Sequence, residues 1–275
     1  MTYGIDVSKH QGMIDWSKVK TDFAVLRAGF GRYTSQKDPQ FERNYAGAKA
    51  VGIPVGVYWY SYARSAEEAH EEAKACLQVL KGKQFEFPIY FDIEDSTQKF
   101  LDKAVLTAMC EAFCDTLEKA GYFAGVYAST YWFISKLDHA RLAGKYTIWL
   151  ADYRAGYNKT LKRDMHQYTS SGHVDGISGR VDRNTCIRDF PGIIKKAGLN
   201  GFDKAGKPLA DENGAQAASY TREIGPAARE DWTRLADKAE ALGLCVRAKL
   251  SIGPMTGGDD AAIQALATEL GLKCT

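Results

Sequence analysis

Apolar positions in the first 190 residues fall into short β-type runs separated by longer amphipathic stretches. Runs rich in Val, Ile, Tyr and Phe occupy positions 3–7, 23–28, 55–60, 89–93, 124–127, 147–151, 165–168 and 180–182. Helix-length segments lie between the first five. The segment 65–80 opens on Ser65 with Glu68 three residues later, the spacing of a capping box. In 103–120, Ala104, Leu106, Met109, Phe113 and Leu117 recur at helical spacing, and Gly121 follows as a C-terminal stop. Strands alternating with helices predict a parallel α/β barrel. The last three runs stand too close together for full helices. The expected fold is therefore an irregular, TIM-like β/α barrel of eight strands and about five helices, irregular in its second half.

Near Gly198 the pattern changes. Residues 199–214 are rich in Gly, Asp and Lys without periodicity and read as a linker after a barrel spanning 1–198. Residues 215–275 carry an internal repeat: Ile224-Gly225-Pro226 recurs as Ile252-Gly253-Pro254, and Leu242-Gly243-Leu244 as Leu270-Gly271-Leu272. Asp231, Leu235 and Ala239 match Asp259, Ile263 and Ala267 in the same register. Each unit reads as strand, Gly-Pro turn, helix and Leu-Gly-Leu cap, which predicts a small α+β module. A unit that small is marginal on buried area alone, so self-association as a homodimer or docking on the barrel is expected of it.

Composition narrows the function classes. With 25% charged and 45% hydrophobic residues, the 275-residue chain has the make-up of a globular protein with a sizeable core. A net charge of +2 without a Lys/Arg run argues against nucleic acid as a partner. No stretch has the apolar length of a membrane span, so no membrane partner is expected. The N-terminus enters a strand pattern directly, and we expect synthesis in the cytoplasm without a signal peptide. Cys76, Cys110, Cys114, Cys186, Cys245 and Cys274 are scattered and read as reduced thiols. No second Cys pair or His completes a zinc site with Cys110 and Cys114, so no metal is expected.

The chemistry concentrates in Pro88-Ile89-Tyr90-Phe91-Asp92-Ile93-Glu94-Asp95. Residues i and i+2 of a strand share a face, so Asp92 and Glu94 project together. Two adjacent carboxylates cannot ionise independently; one stays neutral as an acid while the other remains an anion, the arrangement of a glycoside hydrolase. Asp6 ends the first run, and Asp182 lies in the last. In a β/α barrel the C-terminal strand ends share the face that holds the active site, so four carboxylates are expected in one cleft. Aromatics accompany them: Tyr58, Tyr60 and Tyr62 end the third strand, Tyr127 ends the fifth, and Trp149 with Tyr153 flanks the sixth. Such rings can stack on sugars, and Gln167 is expected at the same rim. Alternation places only part of 58–62 inward, the remainder serving as packing. His10 and His166 read as structural or surface residues, since no Ser or Cys nucleophile pattern accompanies them.

Several of these motifs, in order, resemble one known family. Tyr3-Gly4-Ile5-Asp6-Val7-Ser8-Lys9-His10-Gln11-Gly12 with Ile14-Asp15-Trp16, Phe23-Ala24-Val25-Leu26-Arg27-Ala28, Gly52-Ile53-Pro54-Val55-Gly56-Val57-Tyr58, Phe91-Asp92-Ile93-Glu94 and Val181-Asp182-Arg183-Asn184 are similar to the glycoside hydrolase family 25 lysozymes, the Chalaropsis-type muramidases. The resemblance implies cleavage of the β-1,4 bond between N-acetylmuramic acid and N-acetylglucosamine in bacterial peptidoglycan. Glu94 matches the proton donor, Asp92 its partner acid, and Asp6 and Asp182 the other cleft carboxylates. It favours a route in which the muramic acid 2-acetamido group attacks the anomeric carbon, assisted by Asp92. An inverting route through water activated by Asp6 or Asp182 stays open. No cofactor is implied. The chain looks like a phage endolysin released to the wall, with the C-terminal module binding a secondary wall polymer. A bacterial autolysin and a non-catalytic wall-binding barrel are the alternatives, the intact acid pair arguing against the second.

Overall fold

The computed structural model describes residues 1–154 and 159–209. Eight strands close a barrel in chain order: β1 (Thr2–Val7), β2 (Phe23–Phe30), β3 (Val55–Tyr60), β4 (Ile89–Asp92), β5 (Ala124–Ser129), β6 (Thr147–Ala151), β7 (Met165–Gly172) and β8 (Val181–Cys186). Strands β1 to β7 pair in parallel, as the alternation predicts. Strand β8 is the departure: it runs antiparallel to both β7 and β1. Eight residues, 173–180, separate it from β7. A parallel return needs a crossover of about a dozen residues or more, so a gap this short forces the chain straight back.

The helices are α1 (Phe41–Ala50), α2 (Ala66–Leu80), α3 (Lys103–Lys119), α4 (Thr130–Ser135), α5 (His139–Lys145) and α6 (Phe190–Ala197). The Ser65 hydroxyl accepts from the Glu68 N–H at 3.2 Å and starts α2. Gly121, at φ +84°, turns the chain after α3. Between β1 and β2 the expected helix is absent, and a single 3-10 turn, Lys9–Gln11, stands there. The rest of that link instead buries Ile14 and Trp16, whose indole N–H donates to Asn44 Oδ1 of α1 at 3.4 Å. Among the described residues, no helix is long and apolar enough to cross a membrane.

Strand alternation sorts side chains into two layers. Ala24, Leu26 and Ala28 of β2, Val55, Val57 and Trp59 of β3, and Ile89 and Phe91 of β4 join the core beneath the helices. The opposite positions, among them Phe23, Val25, Tyr90, Trp149, Met165 and Cys186, form a second core. Phe23 stacks on Phe87 at 4.4 Å, and Phe87 meets Phe190 edge-on at 5.7 Å, closing the barrel at the N-terminal strand ends. Gly4 is required there: a Cβ on it would lie 2.2 Å from the Phe23 ring. One end of the barrel is thus plugged with aromatics, and polar inward residues collect toward the other.

The segment predicted as linker from residue 199 begins inside this fold. Asn200, fully buried at φ +54°, donates its amide to the carbonyls of Phe85 and Phe87 and accepts from the Phe123 N–H at 2.7 Å. Phe202 joins the inner core. Polar composition masked this anchor, because the side chain that ties the segment down is itself polar. The C-terminal repeat and its two Gly-Pro turns lie outside the described residues.

Candidate active site

Asp6 and Asp182 are direct partners in the antiparallel pairing of β1 with β8. Asp182 therefore stands at the N-terminal end of its strand and still reaches the rim formed by the C-terminal ends of the others, because β8 is reversed. Asp92 closes β4 beside Tyr60 of β3 and Tyr127 of β5. Glu94 follows two residues later. The four carboxylates converge as the alternation predicts, at different depths: Asp6 and Asp92 are buried, while Glu94 is half-buried and lines a cleft of about 720 Å³ with Tyr127, Tyr153 and, from α4, Tyr131 and Ile134.

A hydrogen-bond network fixes the deep end. The Gln167 amide donates to Asp6 at 2.9 Å and to Asp182 at 3.4 Å. Its carbonyl accepts from the hydroxyls of Tyr127 at 2.8 Å and Tyr153 at 2.7 Å. Asn184 donates to Asp6 at 2.7 Å, and the Trp149 indole donates to Asn184 at 2.8 Å. Gln167, expected at the rim, is buried beneath it. Trp149, expected as a sugar platform, is 1% exposed and packs on Tyr127 with ring centroids 4.4 Å apart. Its place on the strand interior leaves no face for a ligand; it supports Asn184. Tyr58 likewise packs edge-on to Trp149 inside the barrel. Tyr60 donates to Asp95 at 3.0 Å and meets Tyr62 edge-on, while Tyr62 is exposed.

The electrostatics follow from burial. Desolvation pushes Asp6 and Asp92 well above the ordinary carboxylate range; Asp182 adds to this at Asp6, and Glu94 then Asp6 add to it at Asp92. Glu94 is raised by desolvation, then by the charges of Asp182 and Asp95, which favours its protonated form. Arg27 of β2 opposes the shift at Asp92. Its guanidinium is held by Asp38 at 2.6 Å, and Asp38 also accepts from the Lys9 N–H of the loop after β1. Asp92 Oδ1 is buried and makes no hydrogen bond to the protein, so it can accept from a ligand.

The sequence patterns left Asn184 and Arg27 without a role, and Tyr153, named there among the aromatics, also donates to Gln167. Asn184 had a signal: it stands two residues after Asp182 and so on the same strand face. Arg27 had another, a lone charge inside an apolar strand. Gln98, which braces the loop after Glu94, had none, because the partners it reaches, Ser61 and Ala63, stand in the turn after β3.

Comparisons with known proteins point to one family. The family model of glycosyl hydrolases family 25 matches residues 5–177. An uncharacterized protein, YegX, of Escherichia coli K12 is 30% identical over 208 residues, 70% of this chain and 71% of that one. Lysozyme M1 of Streptomyces globisporus is 28% identical over 66% of each chain. The solved structure of the CTP1L endolysin matches with a TM-score of 0.62 at 27% identity, over 71% of this chain and 70% of that one. The modular autolysin LytC of Streptococcus pneumoniae, solved with a synthetic peptidoglycan ligand, matches with a TM-score of 0.59 at 28% identity. There the match covers 66% of this chain and 46% of that one, so this chain accounts for about half the length of the autolysin.

Proposed function

Because the chain belongs to glycosyl hydrolases family 25, and is a glycoside hydrolase, we propose that it is an N-acetylmuramidase that cuts the β-1,4 bond between N-acetylmuramic acid and N-acetylglucosamine in peptidoglycan. The observation that carries this reading is the depth order of the acid pair, Asp92 buried with an unpartnered oxygen and Glu94 at the wall of the cleft.

Glu94, its carboxyl favoured in the neutral form, protonates the glycosidic oxygen as the bond to the anomeric carbon breaks. The acetamido oxygen of the muramic acid attacks that carbon from the opposite face. Asp92 accepts the acetamido N–H on Oδ1, and the burial that raises its proton affinity makes it a better acceptor as positive charge develops there. Water then opens the ring intermediate, deprotonated by Glu94, and the configuration is retained. Asp6, pinned by Gln167 and Asn184, is the member of its pair on which burial favours a proton, and Asp182 supplies negative charge across the cleft. Burial raises both carboxyls, and the charge of Glu94 raises Asp92 further; the division of labour needs the proton on Glu94 with Asp92 ionised.

The biological setting we propose is lysis of a host bacterium by an endolysin, in line with the likeness to CTP1L. Residues 215–275 are proposed as a cell-wall-binding module that holds a secondary wall polymer; the support is the duplicated unit and the absence from it of an acid pair spaced like Asp92 and Glu94 or of a nucleophile pattern. Mass spectrometry of digested peptidoglycan tests the reaction: new reducing ends on N-acetylmuramic acid are expected. Reducing-end N-acetylglucosamine, or free amino groups from cut peptides, would overturn it. NMR of the fresh product separates the routes, the β-anomer marking retention.

A further inference from the structure

Glu72 is a buried acid that the reaction above does not use. It lies on α2 with no exposed surface, and its Oε2 makes no hydrogen bond. Its Oε1 accepts from the Tyr62 N–H at 2.8 Å, and the Ser61 hydroxyl and the Ala63 N–H also face the carboxyl. An acid without a counter-ion is an expensive choice for a helix core position, where an apolar residue would pack at no such cost. Its surroundings give it a use.

The turn it holds, residues 61–63, follows β3. From the other side Gln98, itself fully buried, reaches the same turn: its amide donates to Ser61 Oγ at 3.1 Å and to the Ala63 carbonyl at 2.8 Å. The Gln98 carbonyl accepts from the Asp95 N–H at 3.2 Å, directly after Glu94. Two further bonds run in parallel, from the Ser61 N–H to the Asp92 carbonyl at 3.0 Å and from the Tyr60 hydroxyl to Asp95 at 3.0 Å. The turn after β3 and the loop after β4 are one braced unit, and Glu72 is its anchor in the helix layer.

We infer that Glu72 is a positioning residue for the general acid, acting through the 61–63 turn and Gln98 on the backbone that carries Glu94. The inference rests on the muramidase reading for the identity of that acid. The titratable groups that bear on Glu72 are Glu68 and Cys76, one turn away on either side along α2. Arg32, from the loop after β2, pairs with Glu68 at 3.2 Å. Burial pushes the Glu72 carboxyl up to about 7.

The test compares Glu72→Leu with Glu72→Gln in the full chain. Glu72→Leu removes the acceptor for the Tyr62 N–H and should lower kcat by about 10²-fold, the cost of a displacement of roughly 1 Å, with little change in KM. It should also move the basic limb of the pH–rate profile, which reports the general acid. Glu72→Gln keeps the acceptor and should recover most of the loss. Hydrogen exchange reads the coupling without reference to activity: Glu72→Leu should speed exchange in peptides covering both 61–63 and 94–98. Faster exchange in 61–63 alone, a folded Glu72→Leu with unchanged kcat and pH profile, or a Glu72→Gln as impaired as Glu72→Leu would overturn the inference. Should Glu72→Leu not fold, Gln98→Ala cuts the same path from the loop side and carries the same readouts. A wild-type chain that releases no reducing ends would sink the muramidase reading instead, and the exchange result would still decide the coupling.

Discussion

Asp6 and Asp182 face each other across the antiparallel pairing of β1 with β8, and a single amide nitrogen of Gln167 donates to both, at 2.9 and 3.4 Å. The bridge is neutral, so it orients two carboxylates without cancelling their charge. Burial and the charge of Asp182 then favour a proton on the deeper Asp6. The reversed last strand makes this possible: a parallel β8 would begin at the plugged end of the barrel, with Asp182, the second residue of the strand, beside the aromatics.

Glu94→Gln should reduce turnover by about 10²–10⁴-fold, the range general acid catalysis supplies. The amide keeps the size and polarity of the side chain. Because the Glu94 carboxyl is raised in the folded state, its anion opposes folding near neutral pH, and the variant should melt no lower than the wild type. Near-normal lysis by the folded variant would place the acid elsewhere.

The buried carboxyls also set the sign of the pH dependence of stability. Asp6 and Asp92 bind protons more tightly folded than unfolded, so the stability they allow is fully present below their unfolded values and is lost as pH rises through the raised folded values. Asp92→Asn mimics the protonated form. It should therefore gain little over the wild type at about pH 4 and more at about pH 7, with each kcal/mol worth about 2–4 °C in Tm for a domain of this size. Calorimetry at the two pH values measures it, and a smaller gain at the higher pH would contradict the assignment.

Trp149→Phe distinguishes support from sugar stacking. It removes the donor to Asn184 Oδ1 and leaves that buried amide oxygen unsatisfied, at about 1–3 kcal/mol. Freed on that side, Asn184 holds Asp6 less well. Lower Tm and lower kcat with unchanged KM are expected from steady-state kinetics on soluble glycan strands. A rise in KM alone would return Trp149 to the substrate-binding surface.

How much of this the residues announced depends on the range of the interaction. Period-two alternation in Asp92-Ile93-Glu94 and Asp182-Arg183-Asn184 fixes which side chains face the barrel interior, and the structure agrees at each. The direction of β8 was less plainly written, since the runs 165–168 and 180–182 leave eleven residues between them and only the extension of β7 to Gly172 shortens the gap to eight. Depth was not written at all. Nothing local distinguishes Tyr62, exposed, from Trp149, enclosed, because burial depends on which strands close over each position. The contacts of the Gln98 amide nitrogen and of Asn200 were equally hidden, since their partners stand 35 or more residues away in the chain.

Asn200 leads to a prediction about the end of the barrel. A chain stopped at Gly198, where the periodic pattern ends, loses three hydrogen bonds of the Asn200 side chain and the buried ring of Phe202. The Phe123 N–H and two carbonyls then need new partners. At about 1 kcal/mol for each hydrogen bond and about 2 for the ring, the cost is on the order of 5 kcal/mol, at least a third of the roughly 5–15 kcal/mol of an ordinary domain. A chain stopped at Leu209 keeps all of these. The two truncations should separate widely in thermal denaturation, and equal Tm values would restore the linker boundary at 199.

The repeat in 215–275 should act in retention on the wall rather than in bond cleavage. Its net charge, 7 Lys and Arg against 8 Asp and Glu in 215–275, disfavours plain attraction to an anionic polymer, so any retention must come from specific contacts. Glu94→Gln in the full chain, which binds without cutting, can be compared with the same variant stopped at 214 on purified walls of the host and of an unrelated species. Retention of the full chain on host walls, lost on truncation and absent on the unrelated walls, is expected for a targeting module. Equal retention of both forms would leave the repeat a role in self-association, which sedimentation of the two chains would then reveal. Salt gives a further check, since retention built on specific contacts should survive an ionic strength that shortens the Debye length to about 3 Å, whereas loose electrostatic adhesion should not.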